Sequence, residues 1–248
     1  MALTTMEKTL HHERFIFVFG ANQAGRHGKG AALSARRFYG ATPGVGEGRQ
    51  GSSYAIPTKD ENLQTLTLPQ ISEYVGRFIE HTTQYPNDHF MLTRIGCGLA
   101  GLDDQRVSAL FDSVPANVWF PRQWQGESDT FRVIVAGPRD LYDRDYVFSR
   151  LDHWFSNIPG DRLEIVNGDC SGVDTLASDY ARNRSLHLTR CPAAFSLFGN
   201  PAGPMRNRFM AWYADGAAVL YRSASKGSRD MIKTAREEGL SLRSHLIG

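Results

Sequence analysis

The chain has 248 residues, enough for one large domain or two small ones. Its 28 basic and 26 acidic residues are interspersed and leave a net charge of +2, so composition gives no electrostatic footprint for nucleic acid or a membrane surface. Three cysteines, Cys97, Cys170 and Cys191, form no C-x-x-C pair, which disfavours a disulfide framework or a zinc site and fits a reducing cytoplasm; no metal is expected. Met1–Arg14 is polar and reads as a loose lead-in. The apolar run Phe15–Phe19 is too short for a signal peptide or a membrane span. It reads instead as a strand buried on both faces, ending at Gly20. Gly30–Tyr39, rich in Ala and Arg, is predicted helical, and the glycine-rich Thr42–Gly51 is predicted to be a loop. A strand over Ser53–Ile56 runs into Pro57-Thr58-Lys59. Ile71, Tyr74, Val75, Phe78 and Ile79 have helical spacing within Pro69–Gln84. Phe90–Ile95 is a strand, followed by the glycine-rich turn Gly96–Gly101, an amphipathic helix near Gln105–Phe111, and a strand at Val118–Phe120.

Pro121–Thr130 is polar, lacks apolar periodicity and reads as a linker. The pattern then restarts. Strands are expected over Phe131–Ala136, Leu163–Val166, Leu186–Arg190 and Ala217–Tyr221. Helices are expected over Tyr146–Phe155, Val173–Asn183, Arg206–Ala214 and Asp230–Glu238, the last capped by Gly239. Strands alternating with helices imply parallel sheets covered on both faces. The expectation is therefore two three-layer α/β/α domains, over residues 1–125 and 126–248.

Two glycine-rich turns, each after a strand and before a helix, mark the first half. They are Gly20-Ala21-Asn22 with His27-Gly28-Lys29-Gly30, and Gly96-Cys97-Gly98-Leu99-Ala100-Gly101. Such turns bring backbone N–H groups close to an anion. With Gly51–Asp60, these segments resemble macrodomains, in the branch of terminal ADP-ribose protein glycohydrolases and DNA ADP-ribosyl glycohydrolase antitoxins. The resemblance covers roughly residues 15–121. It implies an ADP-ribose cleft contacted by Gly20, Asn22, His27, Gly28, Gly30 and Gly96–Gly101. It also implies Lys59 as a nucleophile on the anomeric carbon of the distal ribose, through an imine with the ring-opened sugar. That attack requires an unprotonated amine, which burial or a neighbouring cation favours; the alternative is a solvated lysine beside Asp60. Where the protein-directed members carry a catalytic Asp, this chain has Ala100. Asp103 is then the candidate acid or base, or else a helix cap. His27 could touch a pyrophosphate or serve the loop alone, and Cys97 reads as a small packing residue within the turn.

The second half holds four ordered segments: Arg132–Asp140, Asn167–Ala177, Ala202–Asn207 with Met210, and Lys226–Ser228 with Met231-Ile232. These resemble the SLOG superfamily in its YspA-like branch. The resemblance implies a second nucleotide site built from Gly137, Arg139, Gly168, Ser171, Gly172, Asp174, Arg206, Asn207, Lys226, Gly227 and Ser228. Gly168 and Gly172 bend the chain, and Gly227 and Ser228 open a helix toward an anion. Arg206 offers a planar fork for phosphate across from Ser228, and Asp174 is placed for ribose hydroxyls or for the helix dipole. For Arg139 and Asn207 the alternative is a hydrogen bond within the turn. Where phosphoribohydrolases of the superfamily carry a Glu, this chain reads Arg229-Asp230-Met231, so binding is expected here rather than hydrolysis.

Together the halves imply a protein of NAD-derived nucleotides: ADP-ribose, its relatives or ADP-ribosylated macromolecules. It needs no cofactor, contacts no membrane, and a homo-oligomer stays open. Three roles remain: an ADP-ribosyl or N-glycosidic hydrolase, a non-catalytic sensor or sequestering protein in bacterial or phage conflict, and a nucleic-acid ADP-ribosyl glycohydrolase.

Overall fold

The computed structural model describes residues 6–126 and 128–248. In chain order the elements are β1 (Glu7–Thr9), β2 (Phe15–Asn22), α1 (Gly30–Phe38), β3 (Gly48–Gln50), β4 (Ser53–Lys59), α2 (Leu68–Gln84), β5 (His89–Leu92), α3 (Asp104–Ser108) and β6 (Val118–Trp119). After these come β7 (Phe131–Ala136), α4 (Arg144–Phe155), β8 (Leu163–Asn167), α5 (Val173–Asn183), β9 (His187–Arg190), α6 (Phe195–Phe198), α7 (Ala202–Tyr213), β10 (Gly216–Tyr221), α8 (Lys226–Glu237) and β11 (Ser241–Leu246). They form two compact units. One spans Glu13–Gly126; the other joins residues 6–12 to 128–248. Both have α/β architecture.

In the first unit the sheet order is β3-β4-β2-β5-β6, parallel except for the edge strand β3. The apolar run of β2 serves both faces. Ile16 and Val18 join the cluster with Ile71, Val75 and Phe78 of α2 and Val107 of α3. Phe17 stacks on Tyr39, just past the end of α1, with centroids 4.4 Å apart. The start of α2 is set locally: Pro69 stands at its first turn, and the Thr67 amide donates to Gln70 Oε1 at 2.9 Å.

In the second unit all six strands are parallel, in the order β1-β9-β8-β7-β10-β11. Val133 and Val135 of β7 pack with Val147 and Leu151 of α4 and Val173 and Ala177 of α5. The helices α7 and α8 pack on each other and on β7 and β10. The chain winds outward through β7, β8 and β9, then returns to the other side of β7 at β10. This reversal leaves a crevice beyond the carboxyl ends of β7 and β10.

Five expectations change here. The lead-in is not loose throughout, because Glu7–Thr9 pairs in parallel with Leu188–Arg190. The division of the chain therefore differs from 1–125 and 126–248: residues 6–12 belong with the C-terminal unit. The glycine-rich loop contains the short strand β3. The expected linker starts later, since Arg122–Trp124 form a helical turn and the Trp124 indole donates to Asp104 Oδ1 at 2.6 Å. A last strand, β11, pairs with β10 where no element was expected. No helix among the described residues is long and apolar enough to cross a membrane.

Candidate functional site: a crevice at the strand-order reversal

The crevice has a volume of about 450 Å³. Three strand-to-helix connections and the first turns of α7 build it. Gly137 and Arg139 come from the loop after β7, Cys170 and Asp174 from the β8–α5 connection, Arg206 and Asn207 from α7, and Lys226, Gly227 and Ser228 from the start of α8. Eight of the eleven expected residues thus share one cavity. Gly168, Ser171 and Gly172 lie behind it, in the loop that shapes its wall.

The glycines have steric reasons. A Cβ on Gly137 would stand 2.6 Å from Val173 Cγ2, so the end of β7 can approach the start of α5 only without a side chain. Gly172 has φ +72° and lies against the backbone of Pro138 and Arg139. The Ser171 hydroxyl donates to the Arg139 carbonyl at 3.1 Å, tying the same two loops. At Gly168 a Cβ would overlap the Arg206 guanidinium.

Arg206 departs from expectation. It lines the crevice, as does Ser228, but its side chain is buried and serves the protein. Nη1 donates to the carbonyls of Gly168 and Cys191, and Nε donates to Asn207 Oδ1 at 3.1 Å. Asn207 Nδ2 in turn donates to Asp230 Oδ2 at 2.8 Å. This chain of bonds runs from the β8 loop through α7 to α8, so Arg206 is a structural tie. Replacing it touches the core.

Asp174 is also buried. Its Oδ2 accepts the amides of Gly168, at 3.0 Å, and Cys170, at 3.3 Å. Burial pushes its carboxyl above the ordinary range, against the opposing pull of Arg206 and the two amides. The cations left over for a ligand are Arg139 and Lys226. Both are exposed at the crevice wall. The α8 N-terminus adds amides without a side-chain cap. Ser225, Asp230, Gly203 and Met210 line the crevice too and were not among the expected site residues, although Gly203 and Met210 belong to the segments that carry the resemblance. Asp230 had a usable signal, standing one helical turn after Lys226.

In the first unit the two glycine turns do meet. A Cβ on Gly30 would lie 3.6 Å from Leu99 Cδ1, and one on Gly20 would lie 3.3 Å from the Gly96 amide. Lys59 ends β4, half-buried, and pairs as an isolated bridge with Thr65. The Thr65 hydroxyl donates to the Ala100 carbonyl at 3.0 Å, which places Lys59 beside the second turn. Gly28, Gly98 and Gly101 are exposed with open space at the Cβ position.

Other expected residues have structural partners. Asn22 Nδ2 donates to the Arg26 carbonyl and its Oδ1 accepts the Arg26 amide, each at 3.0 Å, closing the first loop. His27 is buried edge-on to Phe19, and its Nε2 lies 3.1 Å from the Val45 carbonyl, so it faces the fold. Asp103 caps α3 by accepting the Arg106 amide at 3.0 Å. Cys97 is pushed up to about 12, by burial first and then by Asp104, which disqualifies it as a thiolate.

A family model described as YAcAr, the YspA, cpYpsA-related SLOG family, matches residues 131–198. The C-terminal region, from β7 through α6, is similar to that family. No curated protein matches the chain. Among solved structures, the X-ray structure of DNA processing protein A (DprA) from Streptococcus pneumoniae aligns at 16% identity. That alignment covers 72% of this chain and 75% of that one, with a TM-score of 0.39.

Proposed function

We propose that the chain binds NAD-derived nucleotides of the ADP-ribose type, with the C-terminal crevice as the principal site. The observation that carries this reading is the crevice itself. It lies where strand order reverses and is walled by Arg139, Lys226 and the amides opening α8. A phosphate at the α8 N-terminus would meet Gly227 and Ser228 amides with Lys226 beside them. The Asp174 oxygen that takes no backbone amide is the acceptor we assign to a ribose hydroxyl.

For the first unit we propose a macrodomain-like pocket that takes an ADP-ribosyl group between its two glycine turns. Lys59 Nζ, as the free amine, would attack the anomeric carbon, and the bond to the leaving group would break with the leaving group taking a proton from the amine. The bond from the anomeric carbon to the ring oxygen would then open, that oxygen taking the remaining N–H proton, to give the imine. Water would add to the imine carbon, returning the amine and releasing the sugar. One observation favours a second role there, that of a non-catalytic binder. Asp103 is engaged as a helix cap, and Asp104 is held by Arg94 and Trp124, so neither stands ready as an acid or base.

The test is calorimetry with ADP-ribose and AMP on the full chain, beside an assay for release of ADP-ribose from ADP-ribosylated substrates. The double variant Arg139→Ala/Lys226→Ala is expected to weaken crevice binding at least tenfold with an unchanged circular dichroism spectrum. Unaltered affinity would refute the crevice. Lys59→Ala is expected to abolish turnover and leave affinity within a few-fold. A fully active Lys59→Ala protein would remove that residue from the mechanism.

A further inference from the structure

Beside the crevice lies a second, larger groove of about 660 Å³, between the outer face of α8 and the edge strand β11. Lys226 and Asp230 line both cavities, so the groove continues the crevice. Lys226, Arg229, Lys233 and Arg236 all line it, and all four are exposed. At 3.6 residues per turn they fall within about 80° of arc and rise about 15 Å along the helix. Two acids stand among them. Asp230 accepts the Asn207 amide, and Glu237 faces Lys233 at 3.7 Å and Arg208 at 3.8 Å. The groove thus keeps an excess of positive charge in a chain whose overall balance is close to neutral.

We propose that this groove carries the phosphodiester chain of a single-stranded oligonucleotide whose terminal nucleotide occupies the crevice. The inference rests on the nucleotide reading of the crevice and extends it to a substrate class. A single phosphate group is already served at the α8 N-terminus. The three further cations climb away from that point, about 4.5, 10.5 and 15 Å along the helix, a row longer than one phosphate can engage. A chain with repeating phosphates matches a row of repeating cations, and Tyr221 supplies an aromatic wall in the groove for a base.

Fluorescence anisotropy on the full chain tests this, using labelled hexa-adenylates of ribose and of deoxyribose, with AMP as the short competitor. At low salt at least one hexamer is expected to bind tenfold or more tighter than AMP. Its log affinity should fall against log salt with a slope of about −2, for three phosphates neutralised on a single strand. The triple variant Arg229→Gln/Lys233→Gln/Arg236→Gln should lose at least tenfold in hexamer affinity and flatten that slope, with AMP binding unchanged. Neither hexamer binding tighter than AMP, or a triple variant that retains hexamer affinity and slope, would overturn the proposal while leaving the crevice intact. Hexamer binding that depends on the three cations, without any AMP binding, would uphold the groove and overturn the crevice reading instead.

Discussion

Arg206 and Gly168 fit each other as a pair: the guanidinium occupies the space that any side chain on Gly168 would take. Arg206→Ala leaves the carbonyls of Gly168 and Cys191 without this donor, at a cost of about 1–3 kcal/mol. Gly168→Ala should cost a similar amount by displacing the guanidinium. In the double variant the two losses should not add, because each removes the same contact; urea unfolding of all four proteins checks this, and simple additivity would contradict it. Two aspartates give stability opposite dependences on pH. Asp104 is held down to about 2, chiefly by Arg94, with the Trp124 indole also contributing. Its contribution is present above the ordinary carboxyl value and is lost as pH falls toward 2. Since the pair is partly exposed, this is about 1 kcal/mol after screening. Asp174 runs the other way: its raised value gives a contribution that is full in acid and is lost as pH rises from about 4. Asp174→Asn keeps an oxygen for the Gly168 and Cys170 amides and should flatten that decline. An unchanged stability profile in the variant would show that the buried charge carries no penalty.

Among the elements, the central ones were legible in the sequence and the sheet edges were not. Phe15–Phe19 and Val133–Val135 are buried throughout, so they had to be apolar. The strands β1 and β11 lie at the two edges of their sheet. Glu7–Thr9 and Ser241–Leu246 are mostly exposed or half-buried, and carry charge where burial would demand a hydrophobe. Polar edges also guard against pairing with another chain, at the price of a pattern that reads as coil. The site divides in the same way. Its glycine turns were visible because φ and close approach leave few other choices. The direction of Arg206 was not, since a guanidinium suits a backbone carbonyl as well as a phosphate. β1 is held by side chains as much as by its ladder. Lys8 Nζ lies 3.3 Å from the buried Glu164, which also accepts the Tyr213 hydroxyl at 2.8 Å, and Arg182 Nε donates to Glu7 at 2.8 Å. Lys8→Met should destabilise the C-terminal unit by about 1–2 kcal/mol, because Glu164 stays buried without its cation. Hydrogen exchange should show the loss at the amides of Leu188 and Arg190, the two that face β1. Undiminished protection there would mean that β1 adds nothing.

At the level of the whole molecule, each unit has its own core, and one of the two proposed sites belongs to each. Lys59→Ala and Arg139→Ala/Lys226→Ala should therefore act independently. The first should change turnover and the second crevice affinity, and their combination should give the product of the two effects. A combined variant that departs from this product by more than a few-fold would reveal coupling. The placement of residues 7–9 also has a consequence in time. They leave the ribosome well before their partner strand, residues 187–190. At 5–20 residues per second the segment waits roughly ten to thirty seconds for that partner. During that interval residues 13–126 are complete and can fold. The pairing of residues 7–9 with β9 is then a late event, which follows synthesis of the whole first unit. A nascent chain arrested after residue 180 should still be cut by a protease within residues 6–12, and one that carries the complete sheet should be protected there.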